Sequence, residues 1–418
     1  MFMRITMLSI GSIGDVRPYL LLGKELKNRG HQITMAAFPQ FRDFITDSGL
    51  SFFPLDGDAE KMIFAIMQPD TNAFSYLPRL MKNIRRFIPG LLESMMQSCS
   101  QADAMICNFF GSIYYSIAEL FDIPCIQINY FLVDPTGVSP IAAVRNQHLG
   151  KYANRSTYRI GYLLISLIEK HYLTPWRKEH HLDTRRISSA PDYSVGKHSV
   201  PALYAISPVL FPRPSEWGKN IYMSGFFFDE SPDLFSPPEE LVSFLSKQPA
   251  PVYIGFGSMN AGNMNKLITT ILRAIRSADI RAVISLGHTG RKFRNTSRVF
   301  FLEGYIPHEW LFPRVSAVIH HGGAGTTATG LRFGIPTLVI PFAGDQTFWG
   351  NLVHVSGCGP KPIPRESLTV RRMTCALLDL VSRPDYAEHA GAIAERLARE
   401  HGVRNAADII EKEITRWR

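Results

Sequence analysis

The sequence of 418 residues has few cysteines and no long apolar run. Its five cysteines are scattered, odd in number and without C-x-x-C spacing. This pattern argues against a disulfide framework and a structural zinc site, and it indicates reduced thiols in a cytoplasmic protein. No apolar stretch approaches the roughly 20 residues that a membrane-spanning helix needs. We therefore expect a cytoplasmic protein that touches a membrane at most from its surface.

The sequence also lacks the motifs of nucleic-acid-binding modules, although its formal net charge is +9 at pH 7. The positive charge is uneven. Residues 145–186 hold nine Lys or Arg against three Asp or Glu, and the predicted helix around 79–86 carries four basic residues. A solvated surface and a patch that contacts an anionic membrane both explain residues 145–186. The helix around 79–86 packs against the sheet, lies on a membrane or lines an apolar acceptor cleft. Nucleic acid is therefore not an expected partner, and peripheral contact with a membrane stays open.

Glycine turns that follow short apolar runs occur in two separate parts of the chain. In the first part, residues 3–10 are apolar, a turn follows at Gly11–Asp15, and a leucine-rich helix leads to the next strand. The second series begins at Val252, after a segment rich in proline and polar residues at 229–250. Such strand–turn–helix units build parallel sheets, so we predict an α/β protein with two Rossmann-like domains.

The domain boundaries are predicted from these two series. We place a first domain at 1–228, a linker at 229–250 and a second domain at 251–400. A C-terminal helix at 401–418 is expected to pack back on the first domain. Residues 131–190 contain prolines, many aromatics and the basic excess, so we expect an irregular insertion that shapes a variable binding cleft. The first glycine turn lacks the third glycine of the dinucleotide fingerprint, which argues against a redox cofactor.

The most informative motif lies at 316–351. A short apolar run ends in two histidines, three glycines follow within four positions, and Thr326 begins a predicted helix. The histidines and glycines are His320, His321, Gly322, Gly323 and Gly325. A turn of this kind directs free backbone N–H groups and the positive end of a helix at one point, where an anion binds. Asp345 and Gln346 follow a second apolar run and are suited to hydroxyl groups, which together suggests a nucleotide-sugar pocket.

Asp15 is the one ionisable residue in the first glycine turn. If the two domains enclose a cleft, this carboxylate can act as the general base for an acceptor hydroxyl. The alternative is that Asp15 is a helix N-cap, a position that Asp favours. An N-cap has a lowered pKa and is a poor base, whereas burial in an apolar cleft raises the pKa. The residues alone leave both roles open.

Three stretches of the chain resemble the motifs of one family. HHGGAGTTATGLRFGIPTLVIPFAGDQTFWG at 320–350 resembles the nucleotide-sugar signature of family 1 glycosyltransferases. GSIGDVRPYLLLGKELKNRGH at 11–31 is similar to their amino-terminal motif, and VYIGFGSM at 252–259 to their middle motif. The similarity is strongest to sterol glucosyltransferases and related bacterial lipid or natural-product glycosyltransferases, and it is loose over 131–230. It implies the GT-B fold, two Rossmann-like domains that face each other across a cleft.

The resemblance implies a donor site of nine residues that bind successive parts of the nucleotide sugar. His321, Gly323, Gly325, Thr326 and Ser258 bind the diphosphate, Tyr305 stacks on the base, Ile306 contacts the base through its backbone, and Asp345 and Gln346 bind the sugar hydroxyls. His320 is expected to be a packed, hydrogen-bonded histidine.

The resemblance also implies the reaction. Asp15 falls where many relatives have a catalytic His and where sterol-type members have Asp, which favours its role as the general base. The implied function is the transfer of a sugar, expected to be glucose, from a UDP-sugar to a hydroxyl of an apolar acceptor such as a sterol, lipid or polyketide. Transfer is expected to invert the anomeric carbon in a single displacement and to need no metal and no other cofactor.

Two positions depart from the family pattern. Plant members bind the ribose hydroxyls through a Glu where this chain has Thr329, so a dTDP-deoxysugar donor and an antibiotic-like aglycone remain an alternative. Arg17 replaces the Gln that follows Gly-Asp-Val in sterol-type members, and this cation is expected to lower the pKa of Asp15 or to bind an acidic acceptor. A further alternative, of another class, is a non-catalytic binding or activator protein with the same fold.

Overall fold

The computed structural model describes residues 2–58, 87–108, 112–142, 144, 149–187, 194–230, 235–257, 264–285, 293–304 and 306–417. Its contacts divide the chain into two compact units, each of which gathers separate segments of sequence. Unit 1 consists of Met1–Pro208, Pro212–Asp229 and His401–Arg418, and unit 2 of Val209–Phe211 and Glu230–Glu400. The chain therefore leaves unit 1, builds most of unit 2 and returns to unit 1 for its last residues.

Unit 1 is built on a parallel sheet. Its strands are β1 (Arg4–Leu8), β2 (Gln32–Ala37), β3 (Ser51–Pro54), β4 (Ala104–Asn108), β5 (Cys125–Asn129), β6 (Ser194–Val195), β7 (His198–Ser199), β8 (Ala202–Tyr204) and β9 (Ile221–Met223). The order in the sheet is β3-β2-β1-β4-β5-β8-β9, and β6 and β7 form a separate antiparallel pair. Every residue of β4 and β5 is buried, as expected of central strands that are covered on both faces. The order of the strands reverses between β1 and β4, which creates a switch point at their carboxyl ends.

In the part of unit 1 that the structure describes, five helices accompany this sheet before the chain enters unit 2. They are α1 (Ile13–Asn28), α2 (Arg42–Thr46), α3 (residues 87–99), α4 (Ile113–Phe121) and α5 (Lys151–Glu179). The predicted basic segment at 79–86 lies outside the described residues. Apolar side chains of α1 such as Val16 and Leu22 pack in the core of the unit.

The prediction of irregular structure over 131–190 is wrong for α5, which is a continuous helix of 29 residues. Both its inner and outer sides carry apolar and aromatic residues, and Pro175 lies near its end, so no simple helical period is visible in the sequence. Over the part of the chain that the structure describes, no helix combines the length and the apolar character needed to cross a bilayer.

Unit 2 contains a second parallel sheet. Its strands are β10 (Val252–Gly255), β11 (Ala282–Ser285), β12 (Val299–Leu302), β13 (Ala317–His320) and β14 (Thr337–Val339), in the order β12-β11-β10-β13-β14. This is the Rossmann order, with the switch point between β10 and β13. The described residues of the unit form seven helices: α6 (Glu239–Leu245), α7 (Met264–Ala278), α8 (His308–Leu311), α9 (Ala324–Arg332), α10 (Gln346–Val355), α11 (Val370–Ser382) and α12 (Pro384–Leu397).

Helix α6 lies within the predicted linker 229–250. Its apolar residues Leu241 and Phe244 pack with Tyr253 and Val318 of the unit 2 sheet. This part of the segment is therefore a structured element of unit 2 and not an open connection. The described residues also form four short 3-10 helices: Pro39–Phe41, Thr184–Arg186, Phe312–Arg314 and Arg365–Ser367.

The last helix, α13 (Gly402–Trp417), belongs to unit 1. It buries Ala406, Ala407, Ile410 and Ile414 in the unit 1 core. Arg29, at the end of α1, forms ion pairs with two carboxylates of α13 at 2.6 and 2.8 Å. A side chain at Gly402 would lie 2.1 Å from the Phe226 carbonyl oxygen, so the helix begins where its backbone touches another segment of the same unit.

Candidate active site

The first glycine turn of unit 1 holds the side chain of Asp15 in a capping box. Ser12 is the N-cap of α1, and its Oγ accepts a hydrogen bond from the Gly14 N–H. The Asp15 Oδ2 atom accepts from the Ser12 N–H at 2.7 Å and from the Ser12 hydroxyl at 3.0 Å. Gly11 has φ +146°, and an added Cβ there would lie 2.2 Å from Asp15 Oδ2. The turn thus fixes one oxygen of the carboxylate at the switch point of the unit 1 sheet.

The alternative that Asp15 is the N-cap is wrong. Ser12 occupies that position, and Asp15 is the third residue of the helix, N3. The spacing Ser-x-x-Asp is a variant of the capping box, so this pattern was present in the sequence. Asp15 nevertheless still accepts hydrogen bonds at a helix N-terminus, which favours its ionised form.

Burial decides the direction in which the pKa of the Asp15 carboxyl group is shifted. Desolvation raises its pKa above the usual value, and the hydrogen bonds from Ser12 oppose that shift without cancelling it. Tyr114 and Tyr130 lie close enough that the Asp15 charge raises the pKa of each phenol. Its half-buried, aromatic environment therefore makes this carboxylate a stronger base than a fully exposed Asp.

Arg17 lies two residues after Asp15 in α1 and is partly exposed. Because α-helical residues two positions apart point to different sides of the helix, the arrangement gives no support to the predicted effect of Arg17 on the Asp15 pKa. A role of Arg17 in acceptor binding stays a prediction.

In unit 2, the switch point brings together two glycine turns around His321. Strands β10 and β13 are parallel neighbours, with Gly255 opposite His320. An added Cβ at Gly257, after β10, would lie 3.4 Å from the His321 ring, and one at Gly323, before α9, would lie 2.7 Å from its Nε2. The imidazole therefore lies between two backbone turns, and at Gly323 a side chain would clash with it.

Helix α9 begins directly beside this ring. Gly323 is its N-cap and has no side chain to cap it, so the N–H groups of the first turn point outward without an intrahelical acceptor. These are the N–H groups of the turn that contains Gly325 and Thr326, which are at least partly exposed. The geometry is that of an anion-binding helix N-terminus.

The two adjacent histidines have different surroundings. His320 is fully buried, and its Nδ1 accepts a hydrogen bond from the Gly322 N–H at 3.0 Å. Burial lowers the pKa of His320 well below its usual value, and the neighbouring His321 and His308 lower it further. Burial also lowers the pKa of His321, to about 4. Both rings are neutral at pH 7, so His321 offers an anion a hydrogen bond, whereas positive potential comes from the helix end.

Asp345 and Gln346 meet at the start of α10. Asp345 is the N-cap residue, and its Oδ2 accepts a hydrogen bond from the indole N–H of Trp349 at 2.9 Å. The Gln346 Oε1 accepts from the N–H groups of Phe342 and Ala343 at 2.7 and 3.1 Å. A Cβ on Gly322 would meet the Gln346 backbone oxygen at 2.8 Å. The structure thus brings this pair against the histidine–glycine turn, with Gln346 buried and Asp345 partly exposed.

The remaining predicted donor residues are only partly covered by the structure. Ser258 and Tyr305 lie outside the described residues. The Ile306 side chain is buried in a core cluster of unit 2, which leaves its backbone for the predicted contact with a base. Thr329 is nearly buried, and its hydroxyl donates to the Gly325 carbonyl at 2.9 Å. In the structure this hydroxyl is therefore used in a hydrogen bond within α9.

Four residues that the sequence did not single out support the predicted site: Gly11, Ser12, Gly257 and Trp349. The capping-box spacing could have identified Ser12. Gly257 depends on a contact between segments that are brought together by folding, whereas Gly11 and Trp349 contact Asp15 and Asp345, each four residues away. Within the described residues, no group of three or more His, Cys, Asp or Glu is placed to hold a metal ion.

Two family models match separate parts of the chain. Residues 5–131 match the family model of the glycosyltransferase family 28 N-terminal domain. Residues 270–411 match the model of the erythromycin biosynthesis protein CIII-like C-terminal domain. A sterol 3-beta-glucosyltransferase of Arabidopsis thaliana is 30% identical over 99% of this chain and 68% of its own length. The chain belongs to the family 1 glycosyltransferases, and its relatives include the sterol glucosyltransferases.

Other relatives of this glycosyltransferase are also longer than this chain. A second sterol 3-beta-glucosyltransferase of Arabidopsis thaliana is 31% identical, and the chain spans 66% of its length. A third, from Pichia angusta, is 30% identical, and the chain spans 33% of its length. The shared part is in each case at least 98% of this chain.

Solved structures confirm the predicted GT-B fold of this glycosyltransferase. The glycosyltransferase of kitacinnamycin matches 98% of each chain with a TM-score of 0.70 and 19% identity. The calicheamicin glycosyltransferase matches 100% of this chain and 99% of its own, with a TM-score of 0.68 and 17% identity. The glycosyltransferase VinC, solved in complex with dTDP, matches 99% of this chain and 100% of its own, with a TM-score of 0.68 and 16% identity.

Proposed function

We propose that this glycosyltransferase moves glucose from UDP-glucose to the hydroxyl group of a sterol-like apolar acceptor. The observation that carries the proposal is the position of His321 between Gly257 and Gly323 at the uncapped start of α9. This arrangement suits the diphosphate of a nucleotide sugar. The relatives named as sterol 3-beta-glucosyltransferases, about 30% identical over nearly the whole chain, supply the acceptor class and the sugar.

On the donor side, the N–H groups of the α9 turn and the helix end stabilise the diphosphate. His321 donates a neutral hydrogen bond to a phosphate oxygen, and the bound anion then raises the histidine pKa from its low value of about 4. Charge accumulates on the diphosphate as the bond to the sugar breaks. Donors that are already in place stabilise that charge in the transition state, and each contributes about 3–4 kcal/mol in a site that excludes water.

Asp345 and Gln346 bind the sugar hydroxyls in this proposal. The indole N–H of Trp349 holds one oxygen of Asp345, and two backbone N–H groups hold the oxygen of Gln346. Both side chains are therefore fixed before the donor binds, which lowers the entropic cost of orienting the sugar.

On the acceptor side, Asp15 is the general base. Ile13, two residues earlier, is an exposed apolar side chain, and the half-buried ring of Tyr130 packs on the fully buried ring of Tyr19, 6.2 Å apart between centroids. The accessible side chains of Ile13 and Tyr130 suit the hydrocarbon body of a sterol. They also keep the Asp15 pKa raised, because they remove water from the carboxylate.

The reaction is a single displacement in which atoms and charges balance. The acceptor hydroxyl transfers its proton to Asp15, and its oxygen forms a bond to the anomeric carbon. The bond from that carbon to the diphosphate oxygen breaks, and UDP leaves with the electron pair. Attack opposite to the leaving group inverts the anomeric configuration. We propose that helix N–H groups and His321 take the place that a metal ion has in other transferases.

The direct test is incubation with UDP-glucose and a sterol that has a 3β-hydroxyl group, followed by mass and anomeric analysis of the product. We expect a sterol β-glucoside, formed at the same rate with and without a chelator. The matching sterol with a ketone at that carbon should give no product. Absence of transfer to any apolar alcohol, or an α-glucoside, would contradict the proposal.

A second donor class has one observation in its favour. The Thr329 hydroxyl is bonded to its own helix, at the position where plant members bind the ribose hydroxyls through a Glu. A donor without the ribose 2′-hydroxyl, such as a dTDP-deoxysugar, loses little at such a site, and the VinC structure contains dTDP. Thermal protection by UDP and by dTDP distinguishes the two, since a ligand stabilises the folded state in proportion to its occupancy. Stronger protection by dTDP would favour an antibiotic-like acceptor.

A further inference from the structure

Helix α5 of unit 1 has apolar residues on two opposite sides. On the inner side, Tyr158, Tyr162 and Leu173 are buried in core clusters of the described chain. Five large apolar side chains point outward and are 55–83% exposed. We call them the outward face: Tyr152, Ile160, Leu163, Leu164 and Leu167. Exposed apolar residues that are grouped in this way mark an interaction surface.

The outward face is continuous along the helix. At 3.6 residues per turn, its five side chains lie within an arc of about 120°, and they extend over about 22 Å of helix length. Nearby, Val138 is also 60% exposed, and Leu149 is exposed just before the helix begins.

Basic side chains surround the outward face. Lys151, Arg159, Lys170 and Lys178 are exposed on α5, whereas Glu179 is its one exposed acidic residue. The other carboxylate of the helix, Glu169, is buried and accepts hydrogen bonds from the N–H and hydroxyl of Ser112. An exposed apolar stripe flanked by Lys and Arg is typical of helices that lie in the surface of an anionic membrane.

We propose that the outward face of α5 docks onto the surface of a bilayer that contains anionic phospholipids. The apolar side chains enter the boundary between head groups and acyl chains, and the four basic residues contact lipid phosphates. Charge complementarity selects this occupant over a second copy of the chain. Two copies paired through this face would bring their basic residues together, whereas an anionic bilayer neutralises them.

The docking proposal stands apart from the proposed sugar transfer, because it concerns a surface and not the donor or acceptor site. Binding is measured without nucleotide and without acceptor. A protein that binds vesicles but transfers no sugar would support docking and contradict the proposed function, and the reverse result would do the opposite.

The experiment is co-sedimentation of the full chain with vesicles of phosphatidylcholine alone or mixed with phosphatidylglycerol. We expect binding to the mixed vesicles at low salt, and loss of that binding at about 0.5 M salt, where screening is strong. The variant Ile160→Ser/Leu163→Ser/Leu167→Ser should bind at least about tenfold more weakly, because it removes buried apolar area. Its control is Val355→Ser/Leu378→Ser/Val381→Ser, which changes exposed apolar residues of unit 2 and should bind as the wild type does.

A second pair of variants tests the charges without altering the apolar face. Arg159→Glu/Lys170→Glu should abolish the preference for anionic vesicles. Lys266→Glu/Arg273→Glu, which changes two exposed residues of α7 in unit 2, should keep it. No binding of the wild type at low salt, or equal binding of both variant pairs, would overturn the proposal. So would a dimer of the wild type in lipid-free sedimentation velocity that the triple serine variant of α5 dissociates.

Discussion

Ser12 donates two hydrogen bonds to one oxygen of Asp15, from its N–H at 2.7 Å and from its hydroxyl at 3.0 Å. Burial raises the pKa of the carboxyl group, and these bonds oppose the rise. The balance between the two sets the pH range in which Asp15 can accept a proton. In our proposal, Ser12 therefore sets the pKa of the base without contacting the substrate.

Ser12→Ala is expected to move the acidic limb of the pH profile to higher pH. An ionised Asp15 is required for turnover, so kcat/KM falls as pH decreases through its pKa. Removal of the Ser12 hydroxyl takes away a bond that favours the ionised form, and the pKa rises further. Ser12→Thr should restore the profile. Thr369→Ala, which removes the N-cap of α11, should cost about 1 kcal/mol of stability but leave the profile in place.

Asp15→Asn is expected to keep UDP binding and to lower kcat about 10²- to 10⁴-fold, which is the contribution of a general base. Calorimetric titration with UDP and initial rates with a sterol acceptor measure the two effects. Asp43→Asn is the matched control, because it removes an exposed carboxylate from the first turn of α2. Turnover by Asp15→Asn at the wild-type rate would exclude Asp15 as the base.

Gly323→Ala is expected to weaken UDP binding at least about tenfold, because the new methyl group would lie 2.7 Å from His321 Nε2 and would force the ring to move. The comparison variant is Gly391→Ala in α12, where an added Cβ meets no described atom within 4 Å. That variant should bind UDP normally and be slightly more stable, since Ala favours a helix over Gly. Equal UDP affinity of the two variants would contradict the site.

Trp349→Phe is expected to separate the binding of UDP from that of UDP-glucose. It keeps most of the packing of a fully buried ring but removes the hydrogen bond to Asp345. Affinity for UDP should stay the same, whereas KM for UDP-glucose should rise about five- to tenfold, equivalent to the loss of one ordinary hydrogen bond. Trp176→Phe is the control, because its indole N–H has no acceptor among the described residues. A parallel loss of UDP affinity would show that Asp345 does not act on the sugar.

Local patterns in the sequence were sufficient to predict most of the fold. The strand and leucine-rich helix predicted around the first glycine turn are β1 and α1, and the second series predicted from Val252 begins with β10. Each depends on apolar periodicity and on neighbouring turns, which are properties of adjacent residues. Helix α5 could not be identified in this way, because apolar residues on both its sides conceal the helical period.

Residues within one motif were easier to place than contacts between motifs. The sequence put His321 and Gly323 on one turn because they are nearly adjacent. It gave no reason to put Gly257 against the same ring, since that contact depends on the pairing of β10 with β13. The N-cap alternative for Asp15 was wrong because Ser and Asp both favour that position, and only the observed hydrogen bonds distinguish them.

The return of α13 to unit 1 has a consequence for the order in which the protein matures on the ribosome. The chain is made from its amino end, and units tend to fold once their residues have emerged. Unit 2 has all its residues when Glu400 is made, but unit 1 still lacks four core side chains of α13. Unit 1 is therefore the first to be synthesised but the last to have all the residues of its core. A nascent chain halted at residue 400 would carry a complete nucleotide-binding half attached to an acceptor half with an open core.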